Sequence, residues 1–211
     1  MSYNPGIDIL NKFNNYGCNS YLEEIISARK PFGLDGNFII SEEFKTDKAG
    51  IVNSLKCYGK SQKIGFIDNA IIKKNKKWIK SWKVFTPYAN NIGTELNDDN
   101  QNSFVGEPNS VCTETFLAIG ADLNLSEEAA KNLSVYLKTK FARYLHSLAK
   151  ISQHGTKQTY RFVPMQDFTE KSDIDWSKPI DNIDEQLFDK YNLSQEEREH
   201  IKNSIKDMEK I

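Results

Sequence analysis

SEEAAKNLSVYLKTKFARYLHSLAKI, residues 126–151, reads as one long amphipathic helix. Ser126 suits an N-cap, and Glu127 and Glu128 suit the positive end of the helix dipole. Leu133, Leu137, Phe141, Tyr144, Leu148 and Ile151 recur at three- and four-residue steps and make one apolar face. Lys140, Arg143, Ser147 and Lys150 form a second, basic stripe on that helix. The flanking sequence is of another kind. Asn37–Ser41, Ile51–Tyr58, Lys63–Ile67, Trp82–Thr86, Thr115–Gly120 and Thr159–Val163 are short, rich in β-branched or aromatic residues, and bounded by Gly, Pro, Asn or Asp. One helix with strands before and after it predicts an α+β fold, a mixed sheet of short strands packed with one long helix.

Outward from this centre, Asn19–Ala28 is a shorter amphipathic stretch that stops at Arg29-Lys30-Pro31-Phe32-Gly33-Leu34, where proline and glycine forbid continuation. Ala89–Pro108 is full of Asn, Asp and Gly and reads as a long exposed loop. Gln166–Lys190 spaces Trp176, Ile183 and Leu187 through acidic sequence, like a strap laid over a surface. A final helix is signalled by the capping-box spacing of Ser194 and Glu197. The composition divides the chain into residues 1–168, a body, and residues 169–211, an acidic strap and helical tail.

A net charge of −1 hides an uneven layout. Between Lys60 and Lys83 the chain carries Lys60, Lys63, Lys73, Lys74, Lys76, Lys77, Lys80 and Lys83 against Asp68 alone. From Ala129 to Gln166 there is no acid, and after Asp167 the balance reverses. Basic clusters interleaved with aromatics are what phosphate neutralisation requires, and equally what a solvated face looks like. The phosphate-binding candidates are Lys73, Lys74, Lys76 and Lys77, with Lys140, Arg143 and Lys150 as a second contact. His154, Lys157, Gln158 and Arg161, around the polar turn at residues 152–158, are candidates for positioning or base contact.

Catalytic patterns are poor. Cys18, Cys57 and Cys112 form no C-x-x-C pair, which argues against a zinc site and for a reducing compartment, the cytoplasm. His146, His154 and His200 share no metal-ligand spacing. No apolar run is long enough for a bilayer, so no membrane partner is expected. Glu43-Phe44-Lys45, preceded by Asp35, fits loosely the carboxylate–lysine pattern of a Mg²⁺-dependent nuclease. The N-P-P-Y or D-P-P-Y loop of adenine methylation is absent, as is a glycine-rich S-adenosylmethionine loop.

Five blocks in order resemble a known family. They are Ile26–Leu34 (ISARKPFGL), Trp82–Pro87 (WKVFTP), Glu107–Leu117 (EPNSVCTETFL), Leu137–Phe141 with Phe162–Phe168, and Asp175-Trp176 through Glu197. Together they are similar to the C-terminal, TaqI-like specificity domain of type II restriction–modification N6-adenine methyltransferases, including combined restriction–methylation enzymes. The resemblance implies that residues 1–168 are a DNA target-recognition domain whose partner is double-stranded DNA. It also implies a separate methyltransferase catalytic domain, which binds S-adenosylmethionine and carries the chemistry, so that no catalytic centre or cofactor is expected in this chain. Arg29 and Lys30 then fall near the junction with that catalytic domain. Residues 38–75 and 89–103 are where the target is chosen. Two readings of other classes stay open: a Mg²⁺-dependent nuclease built on Glu43, and a protein-interaction subunit whose acidic tail docks a basic partner.

Overall fold

A computed structural model describes residues 5–92, 99, 101–152 and 154–208. It is an α+β fold in three layers. Helix α1 (Pro5–Tyr16) precedes six strands: β1 (Ser54–Tyr58), β2 (Ile64–Asp68), β3 (Lys83–Pro87), β4 (Phe104–Gly106), β5 (Ser110–Cys112) and β6 (Phe116–Ile119). Four helices follow: α2 (Glu127–Tyr136), α3 (Lys140–Leu148), α4 (Ile180–Lys190) and α5 (Gln195–Ser204). The strands make two three-stranded sheets. In one, β1 pairs antiparallel with β2 and parallel with β5; in the other, β3 pairs antiparallel with both β4 and β6.

The central sheet carries a core on each face, because successive strand residues point opposite ways. Val84, Leu117 and Ile119 pack with the helices, around Phe13, Tyr136, Phe141, Ile183 and Leu187. Phe85 and Ala118 pack instead with Leu55, Cys57, Ile67 and Val111 of the other sheet. Every residue of β3 is buried for this reason.

The stretch at residues 126–151 is two helices, not one. Leu137 ends α2, and Thr139 takes an extended backbone and caps α3, accepting from the Ala142 N–H at 3.1 Å and donating to the Tyr136 carbonyl at 2.7 Å. Asp184, from α4, completes the cap by accepting the N–H groups of Lys140 (3.0 Å) and Phe141 (2.8 Å). A threonine and a distant carboxylate thus offer the backbone a better arrangement than a continuous ladder. The apolar face survives the break as far as Leu148, which packs against the core; Ile151 is fully exposed.

Asn37–Ser41 and Thr159–Val163 are not strands. They hold the 3-10 turns Gly36–Ile40 and Lys157–Tyr160. Asn19–Ala28 keeps only a 3-10 turn, Leu22–Ile25, because its backbone groups find partners across the fold: Leu22 donates to Val163 and Ser27 to Ala118. The end of the 89–108 segment holds β4, and Asn90, Ile92, Asp99, Gln101 and Ser103 are buried rather than exposed. Its residues 93–98 and 100 lie outside the described residues. The strap is a helix, α4, and Trp176, Ile183 and Leu187 share one buried cluster with α1 and α3, so packing runs across the 168/169 point. Helix α5 starts as its capping box predicts. Among the described residues no helix is long and apolar enough to cross a membrane.

Candidate nucleic-acid interface

The lysine-rich turn between β2 and β3 owes its shape to the apolar residues between its lysines. Ile72 and Ile79 are buried, and Trp78 meets Phe32 edge-to-face at 6.4 Å. Asn75 takes a left-handed backbone (φ 49°) and donates its side-chain amide to the Pro31 carbonyl at 2.7 Å. The Lys74 stem lies over Gly33. With the apolar side chains turned in, Lys73, Lys74, Lys76, Lys77 and Lys80 all point to solvent. Lys77 pairs with Asp122 at 2.6 Å and holds that carboxyl below its usual range, but both partners are more than half exposed and the pair contributes little to stability. Lys73, Lys74, Lys76 and Lys80 have no ion pair among the described residues.

The same proline–glycine turn reaches a second group. The Arg29 guanidinium sits 5.0 Å from the centre of the Tyr88 ring, and the His154 imidazole stacks on that ring at 4.9 Å and 23°. Arg29 also lies 3.0 Å from the Glu114 carboxylate, an ion pair without hydrogen-bond geometry. Gly155 donates to the Tyr88 carbonyl at 2.6 Å, and Ala89 bridges His154, so the turn after α3 is stitched to the end of β3. Next along the chain, Lys157, Gln158 and Arg161 are exposed while Thr159 and Tyr160 are buried; Arg161 covers the Phe162 ring at 4.6 Å. Residues 29–34 therefore join lysines 73–80 to His154, two groups some eighty positions apart in sequence. Tyr88 was not among the candidates. An aromatic directly after the Trp82–Pro87 strand was the signal for it.

The second basic contact does not exist as a surface. Arg143 is 3% exposed and is spent on an ion pair with Asp99 (2.5 Å) and on the carbonyls of Lys138 (3.0 Å) and Lys206 (2.8 Å). Lys140 pairs with Asp207 at 2.7 Å, against the C-terminal end of the chain. Lys150 donates to the carbonyl (3.1 Å) and side chain of Asn90, and burial lowers its pKa to about 8. The stripe lies against protein, not solvent. His146, in the same stripe, is fully buried against Tyr160, with ring centres 4.0 Å apart.

Glu43 and Lys45 line a surface depression together with Glu42 and Asp68. Asp35, the carboxylate expected beside them, pairs instead with Lys30. Among the described residues no group of three or more His, Cys, Asp or Glu side chains is placed to hold a metal ion. In the strand-to-helix turn after β6, a Cβ on Gly120 would meet Leu125 at 2.8 Å and Leu133 at 3.1 Å, so core packing fills that turn. No protein-family model and no curated protein matches this chain.

Proposed function

We propose that this chain is a duplex-DNA recognition module of a restriction–modification adenine methylase, acting with a separate methyltransferase catalytic domain. The observation that carries the reading is the turn at residues 72–80. Four lysines free of ion pairs among the described residues project from a backbone pinned to Pro31 and Gly33, a mount for phosphate contacts. Across that mount lie Arg29, His154, Lys157 and Gln158, side chains able to donate to base edges or phosphates. Phosphate contacts fix register and base-edge contacts specify sequence, so the two groups have complementary tasks. The parent class is proposed from the five sequence blocks that resemble adenine-methylase specificity domains.

The test is fluorescence anisotropy with a randomised duplex pool across a salt series, followed by sequencing of the bound fraction. Steeply salt-dependent binding with an enriched short motif is expected. Lys73→Ala, Lys74→Ala and Lys76→Ala together are expected to flatten the log–log salt slope by about 2.7, at about 0.9 per phosphate contact. No binding at low salt refutes the proposal.

The depression lined by Glu43, Lys45 and Asp68 supports a second reading, a Mg²⁺-dependent nuclease, because it gathers two carboxylates and a lysine. Cleavage of DNA in Mg²⁺, abolished by Glu43→Ala, would favour it.

A further inference from the structure

The basic stripe of α3 has a task other than meeting DNA. The two described ends of segment 89–103, to which the resemblance assigns target choice, meet at a neck. At one side Asn90 accepts from Lys150, in the turn that ends α3. At the other, Asp99 accepts from Arg143, seven residues earlier in the chain. The two sides are tied to each other by the Asn91 N–H, which donates to the Asp99 carbonyl at 2.9 Å. Beyond the neck, the Gln101 amide donates to Thr86 (2.9 Å) and to the Tyr160 hydroxyl (3.2 Å), Ser103 donates to Thr86 (3.0 Å), and Ser134 donates to the Ser103 carbonyl (3.1 Å). Every named partner of the neck belongs to α2, α3 and the turn that ends it, β3 or the Tyr160 turn.

A buried ion pair adds little net stability against an apolar replacement of its shape, since desolvation offsets the attraction. What it does add is directional constraint, through the fork geometry of the guanidinium. Lys150 works at the adjoining point: Asn90 follows Ala89, which bridges His154, and His154 stacks on Tyr88. One side of the neck is thus continuous with the Arg29–Tyr88–His154 face.

We infer that Arg143 and Lys150 are positioning residues of the recognition surface: from beneath, they fix the two sides of the 89–103 neck and the Tyr88–His154 face, without touching DNA. The claim rests on the DNA-recognition reading for its consequence, but not for its geometry. Side chains that read bases must be held to a fraction of an ångström by their support.

The experiment compares wild type with Arg143→Met, Lys150→Met and Lys150→Arg in the full chain. Two quantities are read for binding, the ratio of affinities for a selected and a scrambled duplex, and the salt slope. A third is hydrogen exchange at the Asn91 amide. The expected result for both Met variants is at least a tenfold loss of discrimination at unchanged salt slope, with Asn91 exchanging at least tenfold faster. Lys150→Arg, which keeps a donor toward Asn90, is expected to restore both; the half-buried Lys150 position keeps the test open should Arg143→Met fail to fold. Equal weakening for both duplexes with a slope smaller by about one would mark a phosphate contact and overturn the inference. Unchanged discrimination with unchanged exchange would overturn it too. If wild type binds no duplex, the recognition reading fails, and Asn91 exchange alone decides: acceleration supports the clamp, and none overturns it.

Discussion

His146 gives the fold a calculable acid sensitivity. Its ring is 1% exposed, neither nitrogen has a hydrogen-bond partner among the described residues, and the Lys150 cation lies nearby. Burial first, and that cation second, lower its pKa from 6.5 to about 3. The unfolded chain therefore binds a proton that the folded protein refuses. This contribution to stability is fully present above pH 6.5 and drains away as pH falls toward 3. Worked from those two values, the loss is about 2 kcal/mol at pH 5 and about 3 kcal/mol at pH 4. His146→Phe removes the titration and both unpaired nitrogens while keeping an aromatic ring against Tyr160. It is expected to match wild type at pH 7.5 to within about 1 kcal/mol, since losing two unsatisfied polar atoms offsets a small misfit. Urea unfolding of both proteins, followed by tryptophan fluorescence at pH 7.5, 6 and 5, reads the difference directly. Other titrating groups are common to both and cancel. A wild-type-minus-variant difference that stays constant from pH 7.5 to 5 would refute the reasoning.

Asp184 has the opposite sign: burial outweighs its two backbone hydrogen bonds and raises its pKa from 3.8 to about 6. The folded state holds that proton more tightly, so its contribution is full below pH 4 and falls by about 3 kcal/mol as pH rises through 6. The wild-type-minus-Asp184→Asn difference should show this decline in denaturant melts, and a flat difference contradicts it. Gly65→Ala would place a Cβ 2.4 Å from the Phe44 ring and 2.7 Å from the Lys45 carbonyl oxygen. A loss of about 1–3 kcal/mol is expected, seen as a lower thermal midpoint; an unchanged midpoint contradicts that crowding. With Mg²⁺ and plasmid DNA, the recognition reading expects no cleavage from wild type or from Glu43→Ala, and cleavage by wild type alone transfers the argument to the nuclease.

β1, β2, β3 and β6 were legible because each has one or both faces in a core and so is rich in β-branched or aromatic residues between Gly, Pro, Asn or Asp. β4 and β5 were not, since three residues each are too short to show a period. The two strand assignments that failed, at residues 37–41 and 159–163, have the right composition but find their backbone partners in local 3-10 turns. The helix break was hidden because the cap that Thr139 begins is completed by Asp184, forty-five residues away and invisible to any local pattern. Helix α1 passed unmarked, although Phe13 packs edge-to-face on Phe141 and Tyr191 in the middle of the core.

The two basic segments divide for a physical reason. A lysine between apolar residues on a short turn must point outward, because Ile72, Trp78 and Ile79 take the inward directions. That is the case at residues 72–80, and the charge run there is a surface. In α3 the apolar face is so broad that the basic stripe beside it meets protein as well, at Asn90, Asp99 and Asp207. Arg143 is taken up by the buried Asp99, Lys150 by Asn90 and Lys140 by the exposed Asp207, so a run with no acid of its own finds its partners elsewhere in the chain. Sequence counts charges along the chain, whereas phosphate binding depends on the charges left over after folding. Lys73, Lys74, Lys76 and Lys80 are among those left over, which is why the proposed phosphate contact is put on the turn at residues 72–80 and not on α3.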